Sequence, residues 1–270
     1  YRNDTKYAED VADAIQYINK SKLEENRQSM NRVLVHDGFF AETFPVYDVD
    51  SKQMKIVELP EGIGELSEEF EFNFENTGVM KDGVVYTTKT MPKYEGNVTT
   101  LGDIMEKEEV DKKYFIPKEK LYYTNSNITH SDETHGKLPK EERQTWQYIK
   151  GAKKLARKSS GGHEYIFSEG AIPMVDDEDK PARTMLTSEG GFNRSTHIVK
   201  DKKTGNIRLL TAGETERIQG FPTDHTKYCL VNGETVEMPL NKRRFMMGNA
   251  LVVNLIADME ETLDKIFEKE

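Results

Sequence analysis

The side chains best suited to chemistry are unevenly spread. Between Lys137 and Lys158 stand eight basic residues, Lys137, Lys140, Arg143, Lys150, Lys153, Lys154, Arg157 and Lys158, against only Glu141 and Glu142. Such a local excess attracts phosphate, and every phosphate neutralised steepens the salt dependence of binding. The steps from Lys150 to Lys153, Lys154, Arg157 and Lys158 suit one side of a helix, and Ser159-Ser160-Gly161-Gly162 behind them suits a flexible segment following a groove. The competing reading is a solvated lysine face. Arg183, Thr184, Arg194 and His197 form a second group of polar and charged side chains. Cys229 is the only cysteine, which excludes an internal disulfide and a Cys-rich zinc site. Its setting, His225 to Gly233, looks like a short strand, and the thiol is read as structural. His130 and His135 are five apart in a polar loop with Asp132 and Glu133 between them, which suits a solvated turn better than a metal site.

The elements that must position these groups are legible in outline. Ala8, Val11, Ile15 and Ile18 recur at helical steps, so a helix is expected over Lys6 to Ser21. From Arg32 to Thr90 the texture changes to short apolar runs between turns. Arg32 to Gly38 and Lys81 to Thr90 read as strand-like, with Asp-Gly turns at Asp37-Gly38 and Asp82-Gly83, and Phe70 to Phe74 alternates as a half-buried strand does. Val98 to Glu109 reads as a short capped helix, and Pro139 to about Lys158 as helical. Gln144, Gln147 and the lone Trp146 could face a ligand from that helix, although a single Trp is more often core. The 270 residues carry a formal charge of −10, with seven Glu and no Lys or Arg from Val57 to Gly78. That balance excludes a non-specific nucleic-acid coat but not DNA binding, which depends on the local field. No apolar run is long enough to span a membrane and no signal peptide is visible, so a soluble cytoplasmic protein is expected.

The stretch from Arg208 to Pro222 has a clear local logic. Thr211 and Glu214 are spaced as a capping box, Gly220 supplies a left-handed stop, and Pro222 prevents continuation. The pattern Arg208-x-Leu210-Thr211-x-x-Glu214-x-x-Arg217-Ile218-Gln219-Gly220-Phe221-Pro222 resembles the ninth conserved motif of cytosine-5 DNA methyltransferases. Arg244 to Asn254, centred on Gly248-Asn249-Ala250, resembles the tenth, and an amphipathic helix follows with Val252, Leu255, Ile256, Met259, Leu263, Ile266 and Phe267 on one face. Lys180 to His197 resembles the junction where the recognition domain returns to the catalytic domain, with Met185 a mild departure from the family pattern.

The resemblance implies a mixed α/β (α+β) fold. It would comprise a helical segment at 1–30, an irregular β-rich target-recognition domain at 31–180 and a return segment at 181–270. The C-terminal helices would complete a Rossmann-like methyltransferase domain, and their packing face would otherwise be exposed. It implies S-adenosylmethionine as cofactor, bound weakly or not at all by this chain alone, and double-stranded DNA as partner. Arg183, Thr184, Arg194 and His197 of the junction would be backbone or base-edge contacts, Arg194 foremost because arginine reads guanine with two hydrogen bonds. A flipped cytosine would be attacked by a cysteine and methylated at carbon 5. Asn249 and Ala250 would contact the cofactor at a helix N-terminus, while Arg208 and Arg217, with Thr211 and Glu214, would hold the recognition domain together. The family's Phe-x-Gly-x-Gly, Pro-Cys and Glu-Asn-Val segments are not found; Phe74-Glu75-Asn76-Thr77 echoes the last only superficially. These parts are expected in a separate N-terminal catalytic half, in cis or in trans, so the chain alone is expected to be inactive. A separately encoded specificity subunit of a split enzyme and an orphan DNA-binding module remain alternatives.

Overall fold

The computed structural model describes residues 4–59 and 74–268. The chain forms two compact units, residues 1–96 with 258–270, and residues 97–257.

In the first unit α1 (Asp4–Arg32) runs well past the expected helix, and Val33–Asp37 continues it as a π-helical turn. This corrects the expected strand at Arg32 to Gly38. Continuing the helix lets Met30, Val33 and Leu34 pack together with Met54 and Tyr86, and Arg32 pairs with Asp37 at 2.9 Å across the last turn. Gly38 then breaks away in extended conformation, where a side chain would run into the Val33 carbonyl. After α2 (Phe39–Thr43), strands β1 (Lys55–Glu58), β2 (Thr77–Lys81) and β3 (Val84–Thr88) form an antiparallel sheet in the order β1-β3-β2. The Asp82-Gly83 turn joins β2 to β3 as expected, with φ of 50° and 76°, the mirror-image turn that matches strand twist. The Glu75 amide donates to the Thr87 hydroxyl, and Asn76 exchanges two bonds of 2.9 Å with the Thr90 backbone, so the Glu-Asn echo is a structural clasp beside this sheet. Of the expected strand at Phe70 to Phe74, residues 70–73 lie outside the described residues.

The second unit begins with α3 (Leu101–Ile104), opened by a Thr100/Asp103 capping box and shorter than the expected helix. Short helices α4 (Lys118–Leu121), α5 (His130–Thr134) and α6 (Trp146–Lys150) follow. The expected helix from Pro139 to Lys158 is corrected. Thr145 caps α6, the chain leaves it at Gly151, and Lys153–Lys158 is strand β4, hairpinned to β5 (Glu164–Glu169) across the Ser159 to His163 turn. The basic spacing read as helical also fits a strand, in which alternate residues share a face. Trp146 is core, packed edge-on against Phe192.

The ribbon of β6 (Ile198–Lys200) and β7 (Ile207–Leu209) separates two apolar clusters by simple alternation. Ile198, Ile207 and Leu209 join Leu121 and Trp146, while Val199 joins Leu101, Met105 and Leu210. Then come α7 (Ala212–Ile218), the β8 (Tyr228–Val231) and β9 (Glu234–Glu237) hairpin that contains Cys229, α8 (Leu240–Asn249) and α9 (Val253–Phe267). Of the apolar face expected on the last helix, Val252, Leu255, Ile256, Ile266 and Phe267 are exposed, and Met259 and Leu263 are half-buried. No helix among the described residues is long and apolar enough to cross a membrane.

Gly248 lets α8 approach the 186–187 backbone so closely that an added methyl would overlap Leu186 and Thr187. In an ordinary helix Gly→Ala gains up to about 1 kcal/mol. Here overpacking should win, and Gly248→Ala should destabilise the protein by about 1–3 kcal/mol in urea unfolding. A neutral or stabilising result would show that the close approach is not maintained.

Candidate functional site

Helix α7 is built as the sequence predicts. Thr211 and Glu214 form the reciprocal capping box. Gly220, at φ 79°, closes the other end, with the Gly220 amide on Arg217 O and the Phe221 amide on Glu216 O, a Schellman motif. Its charged side chains reach three different parts of the unit. Glu214 grips Arg208 with two bonds of 2.7 Å and also accepts the Thr211 and Glu106 amides. Glu216 accepts from Arg243 of α8 at 2.9 Å and from the Thr226 and Asp224 amides. Arg217 donates to the Ile104 carbonyl at the end of α3 and to Glu106, both at 2.8 Å.

Arg208 itself is fully buried and completes its shell with Asp201 Oδ2 at 3.0 Å. Burial alone would raise the Asp201 carboxyl, but the Thr204 amide and hydroxyl together with Arg208 outweigh it and hold its pKa below the ordinary value. Glu216 is likewise held low: burial opposes, while Thr226 and Arg243 prevail. Arg208, Thr211, Glu214 and Arg217 are therefore one framework. Sequence reasoning missed Glu216 and Arg243. Their only local signal is position, Glu216 inside the ninth-motif stretch and Arg243 immediately before the tenth.

A cleft of about 710 Å³ lies between the junction segment Pro181 to Leu186, the end of α7, and the α8–α9 link. Gly220, Gly248, Ala250, Leu251, Val252, Asn254 and Leu255 line one side, Thr99, Thr100 and Ile104 another. Two bonds shape the link: Gln219 Nε2 donates to Met247 O at 2.7 Å, and the Val253 amide donates to Gln219 O at 2.9 Å. Ala250 lines the cleft. The expected helix N-terminus at Asn249 is corrected: the residue is the last of α8, exposed, with its side-chain amide on its own helix's Phe245 carbonyl at 3.1 Å. A helix C-terminus presents carbonyls, the wrong end of the dipole for a carboxylate. Thr184 is exposed and also lines the cleft, not the basic segment.

The candidate DNA contacts divide sharply. Lys154, Arg157 and Lys158 are exposed on the β4–β5 hairpin, with the Arg157 guanidinium 3.7 Å from the centre of the Phe167 ring. Lys150 and Lys153 are corrected, since both are buried. Lys150 Nζ donates to Thr196 O at 2.8 Å, and Lys153 Nζ is spent on the Tyr148 and Gly151 carbonyls. Arg183 chelates Asp176 and reaches the Ser195 and Thr196 carbonyls. His197 has no exposed surface; its Nδ1 donates to Glu189 at 2.9 Å, and its Nε2 is buried without a partner among the described residues. Arg194 holds the Gly151 carbonyl just before β4 and the Gly170 carbonyl just after β5, and pairs with Glu169. It braces the hairpin root, with both terminal nitrogens bonded to backbone carbonyls. The four cations share a physical reason: the carbonyls of Tyr148, Gly151, Gly170, Ser195 and Thr196 need donors where the chain leaves regular structure, whereas His197 serves the buried Glu189 carboxylate.

These features meet in one protein class. The chain belongs to the C-5 cytosine-specific DNA methylase family, whose model matches residues 63–265. Over 252 residues it is 36% identical to the Type II methyltransferase M.Sau3AI of Staphylococcus aureus, an alignment covering 93% of this chain and 52% of that protein. The chain thus spans about half the length of the curated relative it matches. Among solved structures, the Entamoeba histolytica methyltransferase EhMeth is similar at a TM-score of 0.32 and 10% identity, covering 80% of this chain and 55% of that one.

Two outcomes follow from the inward-turned cations. Charged hydrogen bonds contribute about 1.5–3 kcal/mol each, so Arg194→Ala should speed amide exchange across β4 and β5 by roughly ten- to a hundredfold, with α7 unchanged; equal rates would remove the brace. Burial lowers the Lys150 pKa to about 8 from 10.5. Above pH 8 the folded state therefore binds fewer protons than the unfolded one, so stability should gain from Lys150 as pH rises from about 8 to about 10.5. Lys150→Met should abolish that gain in melting curves taken across this range.

Proposed function

We propose that this chain supplies sequence recognition and one wall of the cofactor pocket to a cytosine-5 DNA methyltransferase of the restriction–modification type. The observation that carries this reading is the cleft closed by the ninth-motif and tenth-motif segments together, through Gln219, Met247 and Val253. A pure DNA-binding module has no use for such a wall, which favours an enzyme over an orphan binder. In this reading residues 31–180 carry recognition and 181–270 return to the catalytic domain.

The cleft residues fit part of S-adenosylmethionine. Ile104, Ile218, Leu251, Val252 and Leu255 offer apolar contact, and Thr99, Thr184 and Asn254 offer hydrogen bonds. The two lining arginines are already engaged, Arg183 by Asp176 and Arg217 by Glu106, so the remaining polar contacts must come from elsewhere. Ala250 presents only a methyl group to the cleft, leaving room for the ligand against the Gly248 turn. When bound, S-adenosylmethionine supplies the methyl group. This chain's own work is to shape the pocket and to align duplex DNA, with Lys154, Arg157 and Lys158 as DNA contacts. The nucleophilic cysteine belongs to a catalytic half outside these residues: Cys229 follows Tyr228 rather than Pro and sits in a hairpin strand. The catalytic half is the chain's protein partner, in cis or in trans.

The test is methyl transfer from labelled S-adenosylmethionine to duplex DNA. The chain alone should give no 5-methylcytosine, and the protein completed with its N-terminal half should give it. Transfer by the chain alone, or none by the completed protein, overturns the reading.

A further inference from the structure

The β4–β5 hairpin is a two-stranded ribbon with two unlike faces. Alternation puts Lys153, Leu155 and Arg157 on one face with Tyr165, Phe167 and Glu169, and Lys154, Ala156 and Lys158 on the other with Glu164, Ile166 and Ser168. The first face is anchored. Lys153 is buried, Leu155, Phe167 and Glu169 are half-buried, and the Leu155 methyl sits so close over Gly136 that a side chain there would collide with it. On the second face every residue is exposed. Its centre is Ile166, 64% exposed and directly opposite Ala156. An uncovered β-branched apolar residue beside a small one is a poor choice for a face that meets only water, and a good one for a face that meets a methyl group.

We propose that this outer face reads base edges in the major groove of duplex DNA, Ile166 over Ala156 contacting a thymine methyl, Ser168 and Lys154 offering hydrogen-bonding groups to neighbouring bases, and Lys158 taking a phosphate near the tip. The proposal rests on the reading of the chain as the recognition part of a DNA methyltransferase, and it names the element that recognises. Three observations choose DNA as the occupant. Residues 153–169 carry four Lys or Arg against Glu164 and Glu169, in a chain of net charge −10, so the hairpin is a local positive feature on a negative protein. Six paired residues run for about 20 Å, and two strands about 4.8 Å apart fit a groove about 12 Å wide. The ribbon is also held rigidly at its base, by Arg194 on the carbonyls that flank it and by Lys153 on Tyr148 and Gly151, while its tip turns through Ser159 to His163 with Gly162 at φ 88°. Base reading demands that kind of fixed root, because register must be set before discrimination is possible. Arg194 is thereby a positioning residue for recognition.

The experiment uses the full-length protein. Plasmid DNA is methylated by wild type, Ile166→Ala, Ser168→Ala and Lys154→Ala, and the methylated cytosines are mapped by bisulfite sequencing. Wild type should mark cytosines within one sequence motif. Ile166→Ala should relax that motif at one base pair, with discrimination there falling by about tenfold. Ser168→Ala should relax a neighbouring position, and Lys154→Ala should in addition lower the salt slope of DNA binding by about 1. All substitutions are at exposed positions, and matching thermal melts establish that the fold is kept. An unchanged motif in all three variants, with wild type active, overturns the hairpin's role while leaving the methyltransferase reading intact. A wild-type protein that methylates no cytosine overturns that reading and this proposal with it.

Discussion

The Arg208 guanidinium has no exposed surface, and both oxygens of the Glu214 carboxylate meet it at 2.7 Å. A buried charge pair of this kind is stable only when every remaining lone pair and N–H is satisfied, and here nearly all are. Glu214 also takes the Thr211 and Glu106 amides, and Arg208 also reaches Asp201 and its neighbour's carbonyl at Leu209. Removing one partner of such a pair typically costs about 3–5 kcal/mol, because the other charge is left buried and alone. That exceeds what helix capping contributes by itself, about 1 kcal/mol. The capping box is therefore the local signature of a larger constraint, in which one carboxylate both starts helix α7 and locks it to the β6–β7 ribbon.

Once α7 is locked, the rest of the second unit is placed from it. Glu216 draws in Arg243 and so fixes α8, Arg217 fixes the end of α3, and Gln219 holds both the end of α8 and the start of α9. The cleft is the space left among these elements. Its geometry follows from Gly220 and Gly248, the first because its backbone is left-handed and the second because α8 lies against the 186–187 backbone. The shape of the cleft and the stability of the framework thus share the same few residues.

The basic residues show how the same side-chain type takes opposite roles. Lys150 and Lys153 cap carbonyls inside the unit, whereas Lys154, Arg157 and Lys158 face solvent. Lys153 and Lys154 are adjacent in sequence, and only the two-residue period of β4 sends one inward and the other outward. Arg183, Arg194 and His197 were turned inward by a similar demand. The surrounding loops have no regular ladder to pair their carbonyls, and Asp176 and Glu189 need cationic or N–H partners of their own.

By itself the sequence determined the features set by interactions within a few residues: the capping boxes at Thr100 and Thr211, the Asp82-Gly83 turn, the left-handed stop at Gly220, and the motif pattern that marks the family. These depend on backbone geometry and on side chains that reach their own backbone, so local spacing suffices. Tertiary structure alone decided that Arg32 to Gly38 continues a helix, that the basic run is split between a helix and a strand, and that Asn249 ends one helix instead of starting another. In each case the choice turned on partners distant in the chain, such as Met54 and Tyr86 for Val33 and Thr196 for Lys150. Periodicity cannot name such partners, because a spacing that fits a helix face can equally fit alternate positions of a strand, and burial decides between them only after the fold has brought the partner near.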